Sequence, residues 1–351
     1  MPIQPLNVLV RTAASPGIGA GHVARTSAVA MALSSCGAKV KWACDASTVP
    51  YLLARGVTPA DIRLLKHAAT EGQSGEAELS PEAQRGDALH ALSDDVGFRA
   101  DVVLLDSYLL GDTWQRFAQS RGAWVAVFDD LLDRPIAAEL IVNAASAVSD
   151  YEGLASGSTA LCGLRYAVAS GERAAEPLLD EPGALLVAFG ASDPADATSS
   201  TLRALEARRR GSPPFQAWVQ LGAGAPHRDA VSKLAAKLGW AQMIAPTEAV
   251  EARARRITLC IGAAGVSLFE RMRDGIPGIV VPLATNQRRI AAAAASCGAA
   301  VIAESPDASA SIALEMRSSL PRLREMSASG REAIDGLGAR RIATTIALCC
   351  R

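Results

Sequence analysis

Residues 6–25 read LNVLVRTAASPGIGAGHVAR, and this stretch decides the fold. A short apolar run leads into a loop with three glycines, and an alanine-containing segment with the composition of a helix follows. Glycines let the backbone pass close to a ligand, and the N-terminus of a helix favours anions. We therefore expect a strand, a ligand-binding loop and a helix, in the order that begins a Rossmann-like α/β unit.

The same alternation of apolar runs and helical segments continues along the chain. Continuously apolar strands are typical of parallel sheets that are covered on both faces. The predicted strands are 6–10, 40–44, 62–65, 102–105, 124–128 and 140–142 in the first half, and 184–189, 217–221, 243–244, 259–261, 279–281 and 301–302 in the second. The predicted helices include 26–34, 199–209, 228–238, 248–255, 288–296 and 340–350, and the polar stretch 68–82 is predicted as a surface loop.

The chain divides into two halves of similar pattern. Its 351 residues correspond to about two domains. Residues 169–183 are charged and turn-rich, and they show no clear periodicity. We predict a first domain over 1–168, a linker over 169–183, a second domain over 184–335 and a final segment over 336–351. Doubly wound sheets bind ligands at the carboxyl ends of their strands, so the expected site is a cleft between the two domains.

Composition excludes several classes of protein. The net charge is −1, from 35 basic and 36 acidic residues, whereas nucleic-acid binding needs a basic stripe. We expect neither a membrane helix nor a signal peptide, because no run of 18 apolar residues occurs and the N-terminus lacks a basic and apolar leader. The seven cysteines are scattered and show no zinc-ligand spacing with histidine, which indicates thiols in a reducing cytoplasm.

The first glycine loop allows more than one interpretation. Gly19 and Gly21 begin a G-x-G-x-x-A pattern, and Asp45 ends the second predicted strand about where a dinucleotide's ribose partner would stand. Against NAD, Pro16 lies in a loop that is longer than the tight Rossmann turn. His22, at the expected helix start, is either a surface or capping imidazole or a group that handles a proton. We favour the functional role for His22.

Two loops in the second half have the character of diphosphate sites. Gly190 and Ser192 follow a predicted strand, although Ser192 or Asp193 could equally cap the next helix. The loop 262–265 consists of glycine and alanine and leads into a helix, whose first turn can present backbone N–H groups to phosphate. Glu270, within that helix, suits the hydroxyls of a ribose. Further on, Asn286 and Gln287 are suited either to sugar hydroxyl and acetamido groups or to helix capping.

In order and spacing, these segments resemble the UDP-sugar hydrolase family of pseudaminic acid biosynthesis, which is related to glycosyltransferases of the GT-B fold, including the MurG type. The resemblance covers most of the chain. Its motifs are GIGAGHVAR (17–25), LDSY (105–108) with Trp114, FDD (128–130), IVN (141–143), GLRY (163–166), FGASD (189–193), GAAG (262–265) with Glu270 and Arg271, and Asn286 with Gln287. The implied fold is α/β and GT-B-like: two Rossmann-like domains face a central cleft, and the last helix packs back on the first domain.

The resemblance also implies roles for individual residues. His22 would be the catalytic base or water-orienting group, and Tyr108 would lie beside the attacking water. Asn286 and Gln287 would contact the sugar, and the second domain would hold UDP. The residues expected to bind substrate or nucleotide are Gly19, Gly21, Arg25, Asp106, Gly190, Ser192, Gly262, Ala263, Ala264, Gly265, Ser267, Glu270, Asn286 and Gln287.

The reaction implied is hydrolysis of UDP-2,4-diacetamido-2,4,6-trideoxy-β-L-altropyranose. Water attacks the anomeric carbon, inverts it and expels UDP, and the family uses no metal or other cofactor. The expected partners are the UDP-sugar, water and other enzymes of the same sugar pathway. We expect no nucleic acid and no membrane insertion, and we expect the protein to act in the cytoplasm.

Three positions depart from the family pattern, and other functions stay open. Ala13 belongs to a stretch without the family's acid, Ala191 replaces a glycine, and Thr258 or a neighbour replaces an acid. The alternatives are a GT-B glycosyltransferase that uses a UDP-N-acetyl-sugar, a non-catalytic nucleotide-sugar binder and an NAD-dependent dehydrogenase. Asp106 and Asp129 are predicted to support Tyr108 and the His22 loop, and helix capping is the alternative for these acids.

Overall fold

The computed structural model describes residues 5–15, 17–65, 78–93, 98–155, 157–244 and 253–350. The chain forms two compact units. The first runs to Val168 and resumes at Leu337, and the second comprises Ala169–Gly336. Residues 169–183, predicted as a linker, contain no helix or strand and belong to the second unit. The predictions that concern Pro16, residues 1–4, 68–77 and 248–252 lie outside the described residues.

The first unit contains a seven-stranded sheet in the order β3-β2-β1-β4-β5-β6-β7, and every neighbouring pair is parallel. Apolar runs that are buried on both faces account for this arrangement. The strands are β1 (Asn7–Thr12), β2 (Lys39–Cys44), β3 (Ile62–Leu64), β4 (Val102–Asp106), β5 (Trp124–Phe128), β6 (Leu140–Asn143) and β7 (Thr159–Cys162). The helices between these strands are α1 (Gly21–Ser35), α2 (Val49–Leu53), α3 (Pro81–Ala91) and α4 (Asp112–Ser120).

The second unit repeats the design with six parallel strands in the order β10-β9-β8-β11-β12-β13. Its strands are β8 (Ala184–Ala188), β9 (Ala217–Gln220), β10 (Ala241–Ile244), β11 (Ile257–Gly262), β12 (Gly278–Val280) and β13 (Ala300–Ile302). Its described helices are α5 (Ala197–Arg208), α6 (Arg228–Leu238), α7 (Val266–Arg273), α8 (Thr285–Ser296), α9 (Pro306–Met316) and α10 (Leu320–Ala333).

The final helix, α11 (Gly338–Cys349), returns to the first unit and packs against α1. Ile342 and Ile346 are fully buried in the core beneath it. Gly338 lies against the carbonyl of Ala167, where a Cβ atom would collide with the backbone. A glycine at the start of this helix therefore allows the close approach.

In both sheets the strand order reverses beside the first strand of the unit. β1 lies between β2 and β4, and β8 lies between β9 and β11. The loops after two such strands turn to opposite faces and leave a crevice at their carboxyl ends, where doubly wound sheets bind ligands. The fold predicted from sequence, two doubly wound α/β units, is confirmed.

Two predictions of secondary structure need correction. The loop predicted over 68–82 is wrong at its end, because Pro81 and Glu82 form the first turn of α3 and the Ser80 hydroxyl accepts a hydrogen bond from the Ala83 amide. Strand β7 was not predicted, since only three apolar residues stand together there between polar neighbours. No helix within the described ranges is long and apolar enough to cross a membrane.

Candidate functional site

The switch point of the first sheet brings a histidine and a carboxylate together. Thr12 at the end of β1 pairs with Asp106 at the end of β4, and α1 begins after the glycine loop that follows β1. His22 therefore lies in the first turn of α1, with its Nδ1 hydrogen-bonded to Asp106 Oδ1. His22 is 5% exposed and Asp106 is fully buried, so this hydrogen bond is largely shielded from water.

The ionisation of Asp106 determines which nitrogen of His22 carries the proton. Burial by itself would raise the pKa of Asp106, but the positive charge of Arg25, the charge of His22 and hydrogen bonds from both hold it well below its usual range. An ionised carboxylate only accepts hydrogen bonds, so Nδ1 of His22 is the donor. Nε2, which has no hydrogen-bond partner among the described residues, is then the basic nitrogen. His22 is thus arranged to accept a proton.

Arg25, one turn further along α1, is held between two carboxylates. Its Nε and Nη2 donate to Asp106 at 2.7 and 2.8 Å, and its Nη1 lies 2.8 Å from Asp130. Burial by itself would lower the pKa of Arg25, but Asp106 and Asp130 raise it well above its usual value. The guanidinium also lies 4.7 Å from the centre of the Phe128 ring. Arg25 was predicted to bind the ligand, whereas in the structure it positions two carboxylates.

Tyr108 follows β4 and stands edge-on to the imidazole. The ring centroids of His22 and Tyr108 are 4.5 Å apart with an interplanar angle of 74°. The Tyr108 hydroxyl donates to Asp130 at 2.7 Å, and Arg134 donates to the Tyr108 carbonyl at 2.6 Å. The two residues predicted to be catalytic are therefore neighbours.

The predicted support of Tyr108 by Asp129 is wrong, because Asp130 makes that contact. Asp129 instead accepts a hydrogen bond from the Tyr151 hydroxyl at 2.8 Å and from the Leu131 amide at 3.0 Å. Burial raises the pKa of Asp129 despite these hydrogen bonds. Asp129 therefore stabilises the turn after β5, and Asp130 is the acid that contacts Tyr108.

The glycine loop itself is compact. Gly19 has a φ of +83°, and its amide donates to the Ser15 carbonyl at 2.7 Å. Gly21 is the first residue of α1. Asp45, the ribose partner in an NAD-binding interpretation, is 1% exposed and accepts hydrogen bonds from the Ser47 and Thr48 hydroxyls. Asp45 therefore stabilises its own turn, which removes the main residue that favoured a dehydrogenase.

A buried ion pair lies where the family pattern has an acid. Arg11 Nε and Nη2 donate to the two oxygens of Asp87 at 3.0 and 2.7 Å, and Trp114 Nε1 donates to the same carboxylate at 2.9 Å. Arg11 also donates to the Thr12 carbonyl at 2.9 Å. This pair joins the end of β1 to α3 and α4. Sequence reasoning missed it, because Arg11 and Asp87 are 76 residues apart.

In the second unit, the loop after β8 is partly explained by helix capping. The Asp193 carboxylate accepts hydrogen bonds from the Ala197 and Thr198 amides at 3.0 and 2.8 Å. Gly190 has a φ of +96° and is exposed, and Ser192 is half-buried. The capping alternative therefore describes Asp193, and Gly190 and Ser192 remain candidates for ligand contact.

The loop 262–265 connects β11 to α7 at the switch point of the second sheet. Gly262 lies against the carbonyl of Ala188, where a side chain would collide with the backbone. Buried Arg271 braces the loop by donating to the Ala263 carbonyl at 3.0 Å and to the Ser267 hydroxyl at 3.1 Å. Within the described part of the chain, no side chain caps α7. The first-turn amides of α7 therefore suit an anion.

Glu270 and the loop after β12 offer further polar groups in this unit. Ser170 donates a hydrogen bond to Glu270, and the Ser170 carbonyl accepts from Arg273 at 2.8 Å. A hydroxyl group thus already occupies one oxygen of Glu270. Asn286 and Gln287 lie in the first turn of α8, and the Gln287 side chain accepts from the Leu283 amide at 3.0 Å. Gln287 therefore stabilises the N-terminus of its own helix, as expected if it acts as a capping residue.

Comparison with known proteins places the fold. No protein-family model matches the chain, and no curated protein matches it. Among solved structures, MurG of Acinetobacter baumannii is 18% identical, with a TM-score of 0.66 over 97% of this chain and 99% of that chain. A kitacinnamycin glycotransferase is 15% identical, with a TM-score of 0.66 over 99% of this chain and 100% of that chain. A Listeria monocytogenes protein assigned as a UDP-N-acetylglucosamine 2-epimerase is 12% identical, with a TM-score of 0.63 over 98% of this chain and 96% of that chain. The chain therefore has the two-domain, Rossmann-like GT-B fold.

Proposed function

We propose that the chain is a nucleotide-sugar hydrolase that releases UDP from a UDP-diacetamido-trideoxyhexose. The observation that carries the proposal is the buried His22–Asp106 pair, which leaves Nε2 of His22 available as a base at the switch point of the first sheet. The GT-B fold and the ordered set of family motifs support a nucleotide-sugar substrate.

In the proposed reaction, His22 Nε2 takes one proton from water while the water oxygen forms a bond to the anomeric carbon. The bond between that carbon and the phosphate oxygen breaks, and UDP leaves with the electron pair. Attack opposite the leaving group inverts the anomeric carbon. As His22 becomes an imidazolium, Asp106 stabilises the new charge across the Nδ1 hydrogen bond. Tyr108, edge-on to the imidazole, fixes the ring beside the water.

The second unit is proposed to bind the UDP group. Backbone amides at residues 262–265 and the first turn of α7 would contact the diphosphate, because a helix N-terminus carries a partial positive charge. Glu270 would accept hydrogen bonds from the ribose hydroxyls in the way that it now accepts one from Ser170. Asn286 would contact the sugar. The near-neutral charge of the chain fits an anion that is held by amides rather than by a basic surface.

A glycosyltransferase is the second candidate, and the fold favours it as much as hydrolysis. MurG and the kitacinnamycin glycotransferase are transferases with the same fold. His22 could deprotonate a hydroxyl of an acceptor as readily as it deprotonates water. The two functions differ in whether UDP release requires an acceptor.

The test is to incubate the purified protein with the UDP-sugar in the presence of EDTA and to follow UDP by chromatography. Release of UDP with no acceptor present is the expected result. Release only after an acceptor is added would replace hydrolysis by transfer. A folded protein that binds UDP in calorimetry but releases none with any acceptor would be a non-catalytic binder, which would reject both enzymatic functions.

A further inference from the structure

We infer that Asp130 is a positioning residue for this reaction: it neutralises Arg25, so that the charge of Asp106 acts on His22, and it fixes Tyr108. The inference rests on the proposed function for its catalytic meaning. Asp130 is 9% exposed and follows β5, whereas Asp106 ends β4 and Arg25 belongs to α1. Three separate elements thus meet at one guanidinium.

The geometry gives Arg25 two acidic partners instead of one. Its Nε and Nη2 contact both oxygens of Asp106, and its Nη1 lies 2.8 and 3.0 Å from the two oxygens of Asp130. Burial weakens the screening of these charges by water, so each of them is felt over the whole cluster. Arg25 therefore cannot cancel both carboxylates.

The charge balance of the cluster stabilises the imidazolium that the proposed reaction forms on His22. Asp106 from β4 is hydrogen-bonded to the imidazole, and Tyr108 from the loop after β4 stands edge-on to it. Arg25 contacts Asp106, and Asp130 contacts both Arg25 and Tyr108. One cation and two anions leave an excess negative charge when His22 is neutral. Protonation of His22 removes that excess. Without Asp130, Arg25 would instead neutralise Asp106 and leave the imidazolium without a net counter-charge.

The same carboxylate sets the place of Tyr108. The Tyr108 hydroxyl donates to Asp130 at 2.7 Å, and this hydrogen bond holds the ring edge-on to His22. The hydroxyl hydrogen of Tyr108 is therefore already engaged in a hydrogen bond within the protein. Loss of the Asp130 carboxylate would remove the group that orients Tyr108.

Hydrogen bonds to Asp129 hold the turn that carries Asp130 in one conformation. The Asp129 carboxylate accepts hydrogen bonds from the Leu131 and Leu132 amides at 3.0 and 3.3 Å, and Tyr151 donates to the same carboxylate. Leu132 has a φ of +56°, in the left-handed region that a leucine rarely adopts. The surrounding bonds hold this strained turn, and Asp130 is the residue that it directs toward Arg25.

The test is Asp130→Asn, followed by NMR titration of the His22 imidazole and by the pH profile of kcat/KM. Loss of one nearby charge should move the midpoint of the His22 titration to lower pH by about one pH unit, and the acidic limb of the profile should move with it. We expect kcat to fall by about tenfold or more, while KM changes little. Asp130→Glu, which keeps the charge, should restore the midpoint.

Two further variants separate the effect of the Asp130 charge on His22 from the effect of Asp130 on Tyr108. Tyr108→Phe removes the hydroxyl but keeps both carboxylates, so kcat should fall while the His22 midpoint stays within about 0.3 pH units of wild type, because the charges are unchanged. Asp112→Asn removes a partly exposed carboxylate that pairs with Arg116 on α4, and it should change neither quantity. An unchanged midpoint in folded Asp130→Asn would overturn the inference. The titration needs no substrate, so it can succeed even if the UDP-sugar is not hydrolysed.

Discussion

His22 is the residue on which the proposed reaction depends most directly. Its Nδ1 is committed to Asp106, and its Nε2 is the base in the proposed mechanism. We expect His22→Ala to lower kcat by about 10²–10⁴-fold, the range for loss of a general base. UDP should still bind with nearly unchanged affinity, because its proposed contacts lie in the second unit. UDP release and calorimetric titration with UDP measure the two quantities separately.

The matched control for this prediction is His90→Ala. His90 is an exposed histidine on α3, and its Nδ1 donates a hydrogen bond to the Gly86 carbonyl at 2.9 Å. Turnover of His90→Ala should equal that of wild type. Wild-type turnover in His22→Ala would exclude His22 as the base.

The lowered pKa of Asp106 leads us to expect that the stability of the protein depends on pH. Its pKa in the folded protein lies well below the value of about 3.9 expected for an unfolded chain. A lowered pKa contributes stability above the unfolded value, and that contribution is lost as pH falls through the folded value. Asp106→Asn should therefore lose about 3–5 kcal/mol near pH 7, as expected when a buried ion pair loses one partner. The loss should shrink below about pH 4.

Urea unfolding of wild type and Asp106→Asn at several pH values between 3 and 7 measures this difference. Asp101→Asn serves as control, because Asp101 is exposed and accepts a hydrogen bond from the Asn7 amide at the amino ends of β1 and β4. A difference between wild type and Asp106→Asn that stays constant across this range would show that the ionisation of Asp106 does not stabilise the fold.

At the residue scale, sequence reasoning pointed to the proposed reacting groups and to Asp106, but not to Asp130. The glycine loop and the helix start pointed to His22, and family motifs pointed to Tyr108. Adjacent acids could not be told apart, because which of Asp129 and Asp130 faces the site depends on the turn after β5. The Arg25 pairing was equally unpredictable, since its carboxylates lie 81 and 105 residues away.

The conformation of the loop between β11 and α7 depends on close packing at Gly262. Gly262 has no room for a side chain beside Ala188, whereas a Cβ atom at Gly265 would meet open space. We expect Gly262→Ala to destabilise the protein by about 1–3 kcal/mol, as overpacking does, and to weaken UDP binding by displacing the loop. Thermal unfolding and UDP calorimetry measure both effects.

Gly265→Ala is the matched substitution in the same loop. Its backbone is extended, with φ of −97°, so alanine fits without strain. The variant should lose less stability than Gly262→Ala, about 0.5–1 kcal/mol, because its cost is only that of alanine in place of glycine at a helix N-cap. Equal behaviour of the two variants would contradict the close approach of β11 to β8.

At the element scale, apolar runs located the strands well, because a buried parallel strand is apolar on both faces. Helix starts were harder to place. The helical composition of segment 26–34 marks only the later part of α1, which begins at Gly21, next to the start expected at His22, with no capping side chain there. The start of α3 was missed because Ser80, Pro81 and Glu82 resemble a polar loop, although serine followed by proline is also a helix-start signal.

For the whole molecule, the sequence determines the fold more closely than the reaction. Two parallel sheets with the same order of strands follow from the repeated strand–helix pattern. The reaction does not follow from the fold, because transferases and a protein assigned as an epimerase share it.

Hydrolysis in ¹⁸O-labelled water, with the position of the label determined by mass spectrometry, tests the central claim most directly. If water attacks the anomeric carbon as proposed, the label appears in the released sugar and UDP stays unlabelled. Label in UDP would show attack at phosphorus, and unlabelled products or no UDP release would show that water is not the nucleophile. Each of these three results would contradict the proposed function.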